Sequence, residues 1–483
     1  MSFQYDISQQ EPSLSEEEES QFWAEQLAKY LAPYQERLDA YVDRRVVGNL
    51  LAAVGAIVQS RCELTTSELG AALCGPAHAE AGTQRLQYAL QHQGWEAEVI
   101  AEVLWQEAEQ RRQQIEQRGE TALCIWDSSV VEKPESEKLE GLGTVRSSKA
   151  RRLGRSRKGV YNQPSRLPVS VRGYEWESLL LLGADGIPQV VTMRWWQRHK
   201  GVPGQQRKLQ HSLLSQVARR WGRLVRHIFD RGYGNGPWLW LLWRYRLRFV
   251  VRWKKGNKLI DAEGRERKAW EMARGKRAWG EARDLWDTHC RVYRSTRVVA
   301  LPVRHPEYQG QLWLVVVRQG RGREPWYLLT NEPVESIEQA WEMVFSYARR
   351  WKIEESFRFQ KCELLIDSLR LRNWQAQHKL LWLVTLAYGA LLAMLSPPLW
   401  RARCRLLVQW CQRADWRLWR VKVPLYRLRW SERPALAGPS APLDGLASLS
   451  VACSCDLARL FCPLVDDAVA PMRISVLILC SES

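Results

Sequence analysis

Residues 121–127 read Thr-Ala-Leu-Cys-Ile-Trp-Asp, and residues 224–230 read Leu-Val-Arg-His-Ile-Phe-Asp. Each is a short apolar run that stops abruptly on an acid. Runs of this length and composition read as buried strands rather than helices. Each then delivers one carboxylate, Asp127 or Asp230, to an edge of the sheet. Strand-like runs at 168–173, 176–183 and 187–194 lie between them, followed by a helical pattern over 204–221. After Asp230 come a helix over 236–246 and a strand over 247–253. An antiparallel run followed by strand–helix crossovers predicts an α/β fold, a mixed sheet flanked by helices.

Working outward, residues 254–325 carry Gly, turn residues and β-rich pieces such as CRVYRSTRVVALPV (290–303) and QLWLVVVRQ (311–319). They read as a β-rich insertion. Trp326–Asn331 returns as a strand, and one long helix is predicted from about 336 to 361, with another over 374–395. Toward the amino terminus, Trp23, Leu27, Tyr30 and Tyr34 recur at helical spacing after Ser15-Glu-Glu-Glu18, which resembles a capping box. Further helical runs follow near 36–60, 66–75 and 95–117. The expected organisation is therefore a helical amino-terminal domain (1–118), a core in two parts (119–253 and 326–396) split by the insertion (254–325), and a tail (397–483). The tail has no clear period, and its residues 401–430 hold nine bases and one acid. It is expected to be disordered or to serve dimerisation.

Bulk properties bound the function. Lys plus Arg number 71 against 53 Asp plus Glu, a formal net charge of +18. Such a surface attracts polyanions, nucleic acid first and an anionic membrane surface second. The basic run 144–158, with seven bases and no acid, is a solvated loop by default and a phosphate contact in this context. The 26 tryptophans are mostly core, with a few available to stack on bases. The eleven cysteines are scattered and form no CxxC pair, which argues against a disulfide framework or zinc ribbon and fits a reducing, cytoplasmic setting. Cys453, Cys455 and Cys462 cluster without a histidine at ligand spacing. Residues 1–22 hold six acids and no base, unlike an export signal. The longest apolar run, Leu380–Leu395, is short for a membrane span and reads as a buried core helix, so no membrane partner is expected.

The predicted helix over 336–361 is the most informative segment. At about 100° per residue, Tyr347, Arg350, Glu354 and Lys361 fall on one narrow stripe. Trp341, Val344, Phe345, Ala348, Trp351 and Phe359 gather on another face, as a core stripe does. The polar stripe is either a solvated face or a carboxylate flanked by two cations and a phenol, suited to a phosphate-bearing substrate. Cutting a phosphodiester needs a clamp on the attacking and leaving oxygens. A pair of divalent ions supplies it, and carboxylates hold such hard cations. Asp127 and Asp230 at strand ends, with Glu354 on a facing helix, are a rigid way to converge three ligands. Glu355 points about 100° away from the stripe, and Glu363 and Asp367 read as structural.

The spacing Y-x2-R-x3-E-x6-K, complete at Tyr347, Arg350, Glu354 and Lys361, resembles the signature of the IS-four group of bacterial insertion-sequence DDE transposases. Asp230-Arg-Gly-Tyr233 looks like that family's second-acid motif, and Trp126-Asp127-Ser128-Ser129 resembles its first. WYLLTNEPVES before the helix is also similar, so the resemblance covers about 120–395. It implies a ribonuclease-H-like fold and catalysis by Asp127, Asp230 and Glu354 holding two Mg2+ or Mn2+ ions. Water would free a 3′-OH, which in some members attacks the opposite strand to form a hairpin; a freed 3′-OH later attacks target DNA. Tyr347, Arg350 and Lys361 would contact DNA phosphates, and Trp326 would help hold a flipped base. The implied partners are double-stranded DNA, as terminal inverted repeats and target, and a second copy of the chain in a paired-end complex near the bacterial nucleoid. The amino-terminal helices would bind the element end, or serve only as a packing module. The rival readings are a non-catalytic DNA-binding regulator derived from a transposase, and a nuclease that only hydrolyses.

Overall fold

The computed structural model describes residues 16–59, 63–147, 170–196, 205–287, 292–320 and 322–399. The cap expected at Ser15, most of the basic run at 144–158, and the tail from residue 400, with its three clustered cysteines, lie outside them.

Five helices come first: α1 (Glu16–Asp39), α2 (Arg44–Gln59), α3 (Thr66–Cys74), α4 (Ala79–Gln91) and α5 (Glu98–Gln117). Then come β1 (Ala122–Glu132), β2 (Gly143–Arg146), β3 (Ser170–Leu182) and β4 (Gln189–Trp196). Helix α6 (Gln205–Arg220), β5 (Val225–Phe229), α7 (Gly236–Arg244) and β6 (Arg248–Arg252) form the crossovers that the alternation of patterns predicts. The β-rich stretch holds β7 (Lys258–Ile260), β8 (Glu266–Lys268), α8 (Ala269–Ala273), β9 (Trp279–Asp287), β10 (Val292–His305) and β11 (Tyr308–Arg318). The chain then gives β12 (Trp326–Thr330), α9 (Ile337–Ala348), α10 (Trp351–Cys362) and α11 (Trp374–Ala393).

These strands make one mixed sheet in the order β2-β3-β1-β5-β6-β12-β11-β10-β7-β8, with β4 also on β3 and β9 on β10. β1, β5 and β6 run parallel, while β3, β12, β11 and β10 pair antiparallel to their neighbours. A strand covered on both faces has no polar face to show, so it reads as a continuous apolar run. Residues 122–126 are all buried for that reason, and at Asp127–Val130 the strand emerges from its cover. On one face, Leu213, Leu214 and Val217 of α6 and Leu239 and Leu242 of α7 pack on Cys124, Trp126, Phe229 and Phe249. On the other, Trp341 and Val344 of α9 join Leu123, Ile125, Ile228 and Leu328.

The structure departs from the sequence reading at several points, the first being that β1 does not stop on Asp127 but runs on to Glu132, paired with β3. The two strand-like runs at 168–173 and 176–183 form the single strand β3. Gly173 allows the close pairing: a Cβ there would lie 2.3 Å from the Val131 carbonyl oxygen. The β-rich insertion adds its strands to the main sheet. β10 and β11 prolong the main sheet through β12, with Val317 opposite Trp326. The long helix expected over 336–361 is two helices joined at Arg349–Arg350. Three i to i−3 bonds tighten the backbone there, Arg350 N–H to the Tyr347 carbonyl (3.0 Å), Lys352 to Arg349 (3.1 Å) and Ile353 to Arg350 (3.1 Å).

The amino-terminal helices share the core of the α9–α11 face. Gly389 of α11 lets Tyr30 of α1 approach, since a Cβ would meet its hydroxyl at 2.3 Å. Lys379 donates to the His92 carbonyl at 2.7 Å. From Leu380 to Leu392 every side of α11 is buried, matching the buried core helix expected there. Among the described residues no helix is long and apolar enough to cross a membrane.

Candidate active site

The parallel register of β1 and β5 pairs Trp126 with Phe229. The next position on each chain segment is an acid, Asp127 within β1, which runs on to Glu132, and Asp230 just past the end of β5, so the two stand side by side. Side chains alternate across a strand, and both acids follow residues that face the α6–α7 layer. They therefore point to the opposite face, where α9 and α10 cross. The joint between those helices lowers Arg350 onto the acids.

Arg350 is only 9% exposed, and its guanidinium reaches all three carboxylates. Nη1 lies 3.1 Å from Asp127 Oδ2, Nε lies 3.9 Å from Asp230 Oδ1, and Nη2 donates to Glu354 Oε1. Tyr347, buried at the end of α9, donates its hydroxyl to Asp230 Oδ1 at 3.3 Å. The Ser128 N–H donates to Asp127 Oδ1 at 2.9 Å. Residues 223 positions apart in the chain thus meet at one side chain.

The electrostatics follow from that crowding. Burial pushes the Asp127 carboxyl up to about 7; Arg350 opposes this, while Asp230 and Glu354 add to it. Burial works against the charge on Arg350, but Tyr347 and the three acids more than offset it, and its pKa stands above the ordinary guanidinium range. Burial also pushes the Tyr347 phenol up to about 12, so it stays a donor. One cation stands against three carboxylates, and a site so short of positive charge accommodates more.

Carboxylate oxygens are the donors that Mg2+ and Mn2+ take, so the residue chemistry fits such ions. As the side chains stand, no group of three or more His, Cys, Asp or Glu among the described residues is placed to hold a metal ion. The guanidinium occupies the space between the acids, and an ion would take oxygens that Arg350 now engages.

The other expected residues surround this centre unevenly. Trp326 meets Tyr347 edge-on at 5.4 Å and carries Arg252 over its ring at 5.6 Å. Lys361, further along α10, lies with its ammonium 5.5 Å from the centroid of Trp176. Glu355 pairs with Lys352 at 3.2 Å, away from the acids. Two neighbours were not singled out from the sequence. Arg252 is one. Glu177 on β3 is the other; it lies fully buried and accepts from the hydroxyl of Tyr233 and from Gln210.

Residues 203–389 match the family described as transposase DDE domain. The matched segment contains Asp230, Tyr347, Arg350, Glu354 and Lys361; Asp127 lies before it. A cryo-EM structure of a piggyBac transposase synaptic complex with hairpin DNA is similar at 10% identity and a TM-score of 0.35, covering 84% of this chain and 70% of that one. No curated protein matches the chain.

Proposed function

We propose that this chain is a DNA transposase that binds element ends, cleaves DNA and joins the 3′-OH to target DNA by DDE chemistry on a ribonuclease-H-like core. The observation that carries the reading is the meeting of Asp127, Asp230 and Glu354 around Arg350, two of those acids within the matched transposase segment. The net charge of +18 supports a double-stranded DNA partner.

Asp127, Asp230 and Glu354 would hold two Mg2+ or Mn2+ ions. When bound, such ions activate the attacking oxygen and neutralise charge on the leaving oxygen. The chain's own residues do the rest. Asp127 is fixed within the β1–β3 ladder and Asp230 directly follows the β1–β5 ladder, so they need little reorganisation as the reaction proceeds. Arg350, with its planar fork of donors, suits a phosphate as well as a carboxylate. Tyr347 holds Asp230 and keeps its proton. Lys361 and the half-buried ring of Trp326 would meet the DNA to either side, one as a phosphate contact and the other as a stacking surface. A second copy of the chain would complete a paired-end complex.

The test is cleavage and strand transfer on supercoiled plasmid bearing the element ends, with Mg2+ or Mn2+. Asp127→Ala, Asp230→Ala and Glu354→Ala should each retain end binding in a gel shift. Each should lose cleavage by on the order of a thousandfold, since several kcal/mol of charge stabilisation disappears. Equal cleavage by wild type and Glu354→Ala would leave only a cationic DNA-binding protein.

A further inference from the structure

Glu177 is 0% exposed, yet the phosphoryl-transfer reading gives it no task. It lies on β3 opposite Ser128, while Ser178 pairs with Asp127. Alternation therefore puts Glu177 on the face of the sheet away from the three acids, among Phe229, Tyr233 and Trp238. Its two hydrogen-bond donors are neutral. The hydroxyl of Tyr233 donates to Oε1, and Gln210 of α6 donates to Oε2 at 2.9 Å. A buried carboxyl held this way is a costly group in an otherwise apolar layer.

Tyr233 ends the short 3-10 turn Arg231–Tyr233 that begins at Asp230. Its own N–H closes that turn on the Asp230 carbonyl at 3.0 Å, and Asn235 then bonds back to the Tyr233 carbonyl at 2.8 Å. The turn is also pinned from the side. A Cβ on Gly234 would sit 2.8 Å from the Arg252 carbonyl oxygen, and Asn257 donates to the Gly234 carbonyl at 3.1 Å. Across the sheet, Tyr347 holds the Asp230 carboxylate itself. Two tyrosines, one on each face, thus grip the backbone and the side chain of one acid. The β3–β1 ladder, in register from Leu123 to Glu132, ties Glu177 rigidly to the strand that carries Asp127.

We propose that Glu177 is a positioning residue: by anchoring the Tyr233 hydroxyl it fixes the turn bearing Asp230 relative to Asp127, and so sets how tightly the acids take a divalent ion. This rests on the transposase reading of the site. Partners of metal-ligating groups commonly change metal affinity or activity by about 10–100-fold when removed.

The experiment measures Mn2+ binding to the full chain by titration with electron paramagnetic resonance, alongside thermal melting. Tyr233→Phe and Glu177→Leu should each weaken Mn2+ binding about tenfold or more. Glu177→Gln keeps an oxygen to accept from Tyr233 and should stay near wild type. Tyr245→Phe removes a hydroxyl bonded to His211 at 3.0 Å on the neighbouring helix and should leave Mn2+ binding unchanged. Should Glu177→Leu fail to fold, Tyr233→Phe and Glu177→Gln still decide the matter. Wild-type Mn2+ affinity in Tyr233→Phe, with binding lost in Asp230→Asn, overturns the positioning role and leaves the transposase reading intact. Equal weakening in Glu177→Gln and Tyr233→Phe, tracking their melting temperatures, makes the pair merely structural and also overturns it. Wild-type Mn2+ binding by Asp230→Asn removes the metal reading and this inference with it.

Discussion

Replacing Arg350 by Met keeps most of the aliphatic stem and deletes the cation. Two opposed effects follow, and their sizes can be worked from the contacts. Removing one partner of a buried ion pair costs about 3–5 kcal/mol. Here the side chains of Asp230 and Glu354 are 39% and 34% exposed, so water takes over part of the role of the guanidinium and the lower end applies. A loss of about 3 kcal/mol lowers the melting temperature by at most about 10 °C in a protein of this size. Divalent ions should respond in the other direction. In the wild type an entering ion must take an oxygen that Arg350 holds, and a hydrogen bond to a charged group is worth about 1.5–3 kcal/mol. Losing that competitor should tighten Mn2+ binding by about 10–100-fold. Saturating Mn2+, at about 100 times its dissociation constant, should then return about 2.7 kcal/mol to the variant. Calorimetric titration and melting with and without Mn2+ read both effects on one sample. Unchanged or weaker Mn2+ binding by Arg350→Met would refute the idea that the guanidinium sits where an ion belongs.

Three further outcomes are expected. Lys361→Ala should reduce the dependence of log affinity on log salt by about one unit of slope, measured by DNA-binding titrations across salt; an unchanged slope removes Lys361 from the DNA contact. Arg226→Met should cost about 3 kcal/mol in urea unfolding, because a guanidinium only 2% exposed holds Glu332 at 2.5 and 2.8 Å, Glu342 at 2.8 Å and Ser346 at 2.8 Å. A second change at Glu332 should add less than its own single cost. Burial pushes the Glu107 carboxyl up to about 7, against hydrogen bonds from the tyrosine pair of α1 and from Gln189. A raised folded value contributes stability fully present below the unfolded value of 4.5 and lost as pH rises through about 7. Glu107→Gln should therefore gain on the wild type between those limits, by at most about 3 kcal/mol, and parallel stability curves from pH 4.5 to 8 would contradict it.

Much of the site was legible because its acids break a pattern. An apolar run that stops on Asp127 or Asp230 marks the point where a doubly covered strand emerges, and burial along β1 follows that reading residue by residue. Glu354 was legible through its spacing from Tyr347 and Arg350. Glu177 was not. In Tyr174-Glu-Trp-Glu-Ser178 the acids alternate with aromatics, which is how a half-exposed strand looks. The packing of α6 and of Tyr233 over that face buries Glu177, and no local pattern announces such a cover. The helix joint at Arg350 was hidden for a related reason. The apolar period runs straight through it, and the side chain drawn down to three carboxylates is a tertiary effect. The docking of α1 on α11 depends on Tyr30 fitting over Gly389, two residues whose meeting leaves no trace along the chain. The joining of β10 and β11 to the main sheet is likewise a matter of register with β12.

The division of labour between sheet and helices bears on the order of events. With all three acids ionised and Arg350 charged, the centre carries a formal charge of minus two in a half-buried setting, where charges interact several-fold more strongly than in water. A DNA phosphate brought to that centre meets net repulsion, although the protein as a whole is strongly cationic. On the proposed reading the wider surface would gather DNA, and the centre would need added positive charge before it could seat a phosphate. Protons supply a little, through the raised carboxyl of Asp127. Divalent ions held by the three acids would, on the same reading, supply enough, and would leave Arg350 free to pair with phosphate. Ion loading and DNA seating are then coupled, and linkage requires the coupling to be reciprocal. DNA carrying an element end should tighten Mn2+ binding to the wild type by the same factor that Mn2+ tightens binding of that DNA.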